Sequence, residues 1–355
     1  MRYESSVDLA QLGDFDEVVD VRSPAEFAVD HVPGAVSCPV LSDEERARVG
    51  TVYKQVSPFE ARKIGAALVA KNVARHLETH FASRDQRWKP LIYCWRGGKR
   101  SGSLTLILRE IGWDAASLKG GYQSYRRAML AQLEELPMRF RYRVICGPTG
   151  SGKSRLLQTL ASRGAQVLDL EALARHRGSV LGDLPGDPQP AQKMFESLVW
   201  SALRNFDAAR PVFVEAESRR IGALRVPEVL LGCMRTSGCV RIEAPVAERV
   251  RFLIAEYRHF LAEPGWLKTL LPRLTALHSK ATVGRWIAQI DAGEWEVLVG
   301  DLLATHYDPA YLRSMGNNYP GLPDAALLNT PCLDDAGFEE SATVLLDPAL
   351  PDARV

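Results

Sequence analysis

The sequence predicts an α/β protein of two successive parallel-sheet domains, the second ending in a helical part. Three observations predict it. Short apolar runs of strand length alternate with helical stretches in both halves. The run 147–154 reads Gly-x4-Gly-Lys-Ser in full, with an apolar strand before it and a helical stretch after it. A helix end and linker around Pro137 separates the halves. With 355 residues, 46% hydrophobic and 25% charged, the chain can build two cores without a disulfide framework or structural metal.

Taken in order, residues 17–21 read as a short buried strand. Residues 41–89 form a mostly helical insert, with apolar groups at helical spacing from Phe59 to His76. Residues 91–94 are the next strand, bounded by Lys89-Pro90 and Arg96-Gly97-Gly98. A helix follows over 101–111, with Leu104, Ile107, Leu108 and Ile111 on one face. Residues 114–118 form a short strand that Gly120-Gly121 ends. The first domain is placed at 1–136 and the second at 137–323. Strands are expected in the second domain over 140–146, 166–170, 212–215 and 239–242, and 246–306 reads as mainly helical. The segment 324–355 holds seven acidic residues against one arginine, a net of −6, and is expected to be a surface segment that pairs within the chain or is partly disordered.

Composition excludes several classes. A formal net charge of +1 excludes binding of nucleic acid by bulk charge, though not by a local patch. The six cysteines contain no Cys-x-x-Cys pair, and no His-Glu-x-x-His occurs. No apolar run reaches the length of a membrane helix, and no apolar signal core follows Met1. The chain reads as a soluble cytoplasmic protein with reduced thiols and no membrane partner. With no exposed heptad or apolar stripe, a monomer is expected.

Two stretches carry chemistry. In the first, Gly147, Gly150 and Gly152 let the backbone amides curl around a phosphate, with Thr149 and Ser151 between them. The following helix N-terminus adds partial positive charge. Lys153 neutralises the terminal phosphate, and Ser154 is a candidate magnesium ligand. An acidic partner for a metal is less clear. The strand at 212–215 ends in Glu215, with Glu217 close behind, and Asp169 is a second candidate. Glu215 and Glu217 serve equally well as ion-pair partners of Arg219 and Arg220. In the second stretch, Cys94 stands between a buried strand and a helix. Gly97 and Gly98 let amides fold toward its sulfur, and Arg96, Lys99 and Arg100 surround it. Amides, helix N-terminus and cations would lower the thiol pKa, an environment suited to a nucleophile exposed at the sheet edge. The other five cysteines read as structural, with Cys146, before the phosphate loop, the one nearest to chemistry.

Residues 20–27 (Asp-Val-Arg-Ser-Pro-Ala-Glu-Phe), 31–36 (His-Val-Pro-Gly-Ala-Val), 94–101 and 118–122 (Leu-Lys-Gly-Gly-Tyr) resemble the signatures of the rhodanese family. By that resemblance Cys94 carries a sulfane-type atom, while Asp20, Arg22 and Glu26 support the loop. A rhodanese-like parallel-sheet domain followed by a P-loop NTPase-like domain resembles the bacterial tRNA 2-selenouridine synthase family over essentially the whole chain. Residues 49–55, 61–69, 190–196 and 214–219 add to the likeness. The resemblance implies a transferase acting on the wobble 2-thiouridine of tRNAs for Lys, Glu and Gln. It implies S-geranylation from geranyl diphosphate, then replacement by selenium from selenophosphate, with magnesium a candidate and no tightly bound organic cofactor. Cys94 would carry or deliver selenium, and Lys153 with the loop amides would hold the diphosphate.

A tRNA partner needs a basic surface. Between 126 and 163 lie eight Lys or Arg against two Glu, a net of +6. Arg126, Arg127, Arg139, Arg141 and Arg143 are the RNA-binding candidates there, with Arg219 and Arg220 beyond; Arg225, Arg249, Arg251 and Arg258 extend the positive character. Two other readings stay open. One is an ATP-dependent sulfur transferase or kinase coupled to a rhodanese sulfur carrier. The other is a tRNA-binding module, which the presence of Cys94 disfavours.

Overall fold

A computed structural model describes residues 6–347, apart from the side chain of Asn317. The chain divides between Gln132 and Leu133 into two compact units.

The first unit is built on a five-stranded, wholly parallel sheet. Its strands are β1 (Ser6–Val7), β2 (Glu17–Asp20), β3 (Val36–Ser37), β4 (Pro90–Tyr93) and β5 (Ala116–Leu118), in the order β1-β5-β4-β2-β3. β4 is central and buried along its whole length, which is why it reads as an uninterrupted apolar run. Helix Lys99–Ile111 packs on it through Leu104 and Leu108, and Gly112, at φ 116°, ends that helix. The insert between β3 and β4 is a helical hairpin, Asp43–Gln55 and Pro58–Glu78. Each of its helices starts on a serine. The Ser42 hydroxyl accepts from the Glu45 amide, and the Ser57 hydroxyl accepts from the Phe59 amide. Val69 and Val73 of the longer helix reach the core beside Phe81 and Trp88.

The second unit holds another five-stranded parallel sheet. Its strands are β6 (Tyr142–Cys146), β7 (Gln166–Leu168), β8 (Val212–Glu215), β11 (Gly238–Glu243) and β12 (Ala326–Asn329), in the order β12-β11-β6-β8-β7. A small antiparallel hairpin, β9 (Arg220–Ile221) with β10 (Leu224–Arg225), stands apart from it. The stretch from Val246 to Tyr307 is a chain of short helices with their own core around Trp286, Leu271 and Leu274.

The acidic tail pairs within the chain, as expected, with Arg155 3.0 Å from Asp335 and Arg163 3.9 Å from Glu339, and it is built into the fold. Residues 326–329 form edge strand β12, and Asp335–Leu346 is a helix that buries Phe338, Ala342 and Leu345 against the phosphate-loop helix. Its charges lie on the outer face, so net charge concealed an amphipathic helix. Residues 348–355 lie outside the described residues.

Candidate active site

The cysteine loop is held from below by glycines. Gly97 has φ +64°, and a Cβ on Gly121 would stand 2.2 Å from the Cys94 carbonyl oxygen. The Tyr122 amide donates to that same oxygen, and Trp95 stacks on the Tyr122 ring. Beneath lies a buried ion pair. The Arg22 guanidinium grips Asp20 at 2.6 Å, donates to the Asp30 carbonyl and lies over the Tyr122 ring. Tyr122 in turn donates its hydroxyl to Asp30. Asp20 and Arg22 thus fix the floor on which the loop rests.

Cys94 is only 4% exposed, so it lies within the cradle and not at an open edge. Burial alone would push the thiol up. The Ser101 hydroxyl at 3.2 Å and the amides of Ser101, Arg96 and Gly98 outweigh it, and the thiol is held below its ordinary value. The cations do less than the sequence suggests. Arg96 donates to Gln123, Arg100 is paired with Glu26, and Lys99 is exposed. Ser101, which closes the motif, is the residue whose role the sequence did not disclose. Cys146 is buried beside Cys239, and the neighbouring sulfur together with burial pushes its thiol up.

The phosphate loop joins β6 to helix Lys153–Ser162. Gly150 and Gly152 have φ +80° and +76°, and a Cβ on either would strike Leu253 or Phe338. Lys153 donates its ammonium to the Gly147 carbonyl, curled over the loop. Arg249 donates through Nε and Nη2 to the Thr149 carbonyl and pairs with Asp308. Arg249 therefore braces the loop and is buried, which removes it from any RNA-facing set.

Beside the loop three carboxylates meet. Oxygens of Glu171, Glu215 and Glu217 all lie within 4.8 Å of one another. Glu171 also accepts from the Ser154 hydroxyl at 3.3 Å. Burial pushes all three carboxyls up, Glu217 to about 8, and mutual repulsion adds to it for Glu171 and Glu217, with Lys153 opposing. Glu215 and Glu217 are not partners of Arg219 or Arg220; Arg219 pairs with Glu228. Asp169 caps the short helix Leu170–Ala174 through the Ala172 amide, and Glu171, two residues on, joins the group instead. The only signal for Glu171 was its place just past a sheet strand.

Over the loop opens a cavity lined by Lys153, Ser154, the three glutamates, Arg177 and Tyr311. An apolar pocket adjoins it and shares Thr149, Ser179, Leu253, Tyr257 and Tyr307. Its remaining walls include Phe260, Leu267, Trp295, Leu298 and Leu302.

The other basic candidates are scattered in their roles. Arg126 lies 3.6 Å from Asp30, Arg139 pairs with Glu135, and Arg141 donates to the Ala209 carbonyl. Arg143 donates to the Leu345 carbonyl and lies over Phe213. Arg127 and Arg220 are exposed.

Residues 6–128 match the family model of the rhodanese-like domain, and residues 140–266 match that of the tRNA 2-selenouridine synthase AAA domain. A tRNA 2-selenouridine synthase from Aeromonas salmonicida is 34% identical over 84% of this chain and 87% of its own length. The chain belongs to the tRNA 2-selenouridine synthase family. A second relative of that name, from Nitrosomonas europaea, is 38% identical over 68% of this chain, and the match spans 63% of that relative's length. A third, from Hydrogenovibrio crunogenus, is 37% identical over 70% of this chain and 71% of its own. The two matches fall one on each loop, the rhodanese-like model over Cys94 and the AAA-domain model over residues 147–154. Among the described residues no helix is long and apolar enough to cross a membrane.

Proposed function

We propose that the protein converts wobble 2-thiouridine in tRNA to 2-selenouridine, with geranyl diphosphate and selenophosphate as co-substrates. The observation that carries the geranyl step is the apolar pocket that adjoins the phosphate-loop cavity at Thr149 and Leu253. A ligand with an anionic diphosphate head and a ten-carbon apolar tail needs these two surfaces side by side. The loop amides and Lys153 take the diphosphate. The base sulfur attacks C1 of the geranyl chain, the C–O bond breaks, and the diphosphate leaves with the electron pair while the base loses its N3 proton. The selenium of selenophosphate then bonds to C2, the C2–S bond breaks and geranylthiol departs, and water cleaves the P–Se bond to release phosphate, with protons taken up by the leaving sulfur and by N3. The Cys94 sulfur, set among loop amides and the Ser101 hydroxyl with its thiol lowered, supports giving the selenium-handling half to the rhodanese-like unit.

The donor set beside the loop suits magnesium. The Ser154 hydroxyl and three carboxylates are hard oxygen ligands, and Glu215 has one buried oxygen without a partner. Ser154, Glu171, Glu215 and Glu217 would hold the ion, which would supply positive charge to a bound diphosphate. The same set would serve a nucleotide, so ATP is the rival ligand of this loop, as an ATP-dependent sulfur transferase or kinase requires.

The deciding experiment incubates 2-thiouridine tRNA with geranyl diphosphate alone and then with selenophosphate, followed by nucleoside mass spectrometry. Geranylated thiouridine in the first tube and selenouridine in the second are expected. Unchanged nucleosides, with ATP turned over on adding tRNA, would replace this reading by the ATP-dependent one.

A further inference from the structure

The turn of the helical hairpin in the first unit exposes an unusual set of side chains. Tyr53, Val56 and Phe59 are 57%, 72% and 60% exposed and follow one another around the junction of helices Asp43–Gln55 and Pro58–Glu78. Single exposed apolar residues are ordinary, but three large ones at one tip mark a contact surface. The cations around them say what kind. Between residues 48 and 63 stand Arg48, Lys54, Arg62 and Lys63 against Glu60 alone, a net of +3 in a chain whose total is +1. All four cations are exposed. The Lys63 ammonium lies 5.4 Å from the centre of the Phe59 ring, so charge and aromatic face are presented together. The tip is also held firmly from behind. Ser57 caps the second helix, and Asn72 bridges the two helices by donating to Glu45.

We infer that this tip is a nucleic-acid contact, with Phe59 and Tyr53 stacking on unpaired bases and Lys54, Arg62 and Lys63 on the flanking phosphates. Single-stranded RNA loops offer the two features the tip complements, unstacked bases and closely spaced negative charge. The inference rests on the reading above that the substrate is a tRNA, and it deepens that reading by naming a contact. The tip adds exposed cations that sequence charge alone passed over; Lys63 also pairs with Glu60 at 2.8 Å and Arg62 donates to the Pro58 carbonyl, both at the exposed surface.

The test measures binding of the full chain to tRNA carrying wobble 2-thiouridine, by fluorescence anisotropy at two salt concentrations. The Tyr53→Ala/Phe59→Ala variant should weaken binding by about tenfold or more, the scale of losing a stacked base. Tyr53→Phe/Phe59→Tyr should retain affinity, and Lys54→Glu/Arg62→Glu should weaken it and flatten its salt dependence. In turnover, the alanine variant should raise KM for tRNA and keep kcat. Alanine and charge variants that bind as wild type does would overturn the contact. So would loss of self-association in sedimentation with tRNA affinity intact, which would make the tip a protein interface. A wild-type chain that neither binds nor modifies the tRNA would overturn the functional reading itself, a result separable from failure of the tip alone.

Discussion

The Ser101 hydroxyl stands 3.2 Å from the Cys94 sulfur, and Ser101 is itself fully buried. A thiolate in that position gains a hydroxyl donor and loop amides but no direct ion pair. The shift of its thiol is therefore a property of loop geometry. Ser101→Ala should raise the Cys94 pKa, because it removes a donor to the charged form and leaves the burial cost in place. The pH profile of alkylation, read by peptide mass spectrometry, should move its midpoint upward, and the rate at neutral pH should fall about tenfold. In the wild type Cys94 should react ahead of Cys38, which is equally buried but whose thiol burial pushes up to about 12.

Filling the apolar pocket should separate tail from head. Leu298→Trp should raise KM for geranyl diphosphate by about tenfold or more, the scale on which small changes in apolar fit act. Inhibition by inorganic diphosphate, which has no tail, should be unchanged. Equal loss of both would place the substitution's effect on the loop.

Magnesium should stabilise the wild type and not the Glu215→Gln/Glu217→Gln variant. Thermal melts with and without magnesium chloride report this, since a ligand of the folded state raises Tm by mass action. For a unit the size of Leu133–Val355, which holds these carboxylates, each kcal/mol of binding is worth roughly 2–4 °C. An equal response in the two proteins would remove the carboxylates from ion binding.

Arg22 is 1% exposed and Asp20 is fully buried. Arg22→Met would leave the Asp20 carboxylate buried without its partner. Urea unfolding should show a loss of about 3–5 kcal/mol, the cost of breaking a buried pair from one side. The Asp20→Asn/Arg22→Met double variant should recover much of it.

Much of this was legible in the sequence. The phosphate loop could be read because its amides demand glycine at 150 and 152, where φ is positive, and a ring-forming turn of that kind leaves a fixed spacing. The cysteine loop could be read for a similar reason, through Gly97 and Gly121. Glu171 could not, because it meets Glu215 and Glu217 only when β8 and the chain beyond β7 lie side by side. Charge counting along the chain does not show partners: Arg143 reaches the Leu345 carbonyl across two hundred positions. The tail's pairing was legible from its net charge, but its helix was not drawn from the signal that marks it, Phe338, Ala342 and Leu345 at helical spacing.

The brace that Arg249 gives to the Thr149 carbonyl has a consequence for engineering. The strand, loop and helix from 142 to 162 contain the whole recognisable motif, yet the loop's own backbone is held by a guanidinium from far along the chain, itself steadied by Asp308. Grafting that stretch onto another scaffold would transplant the consensus and leave its scaffolding behind.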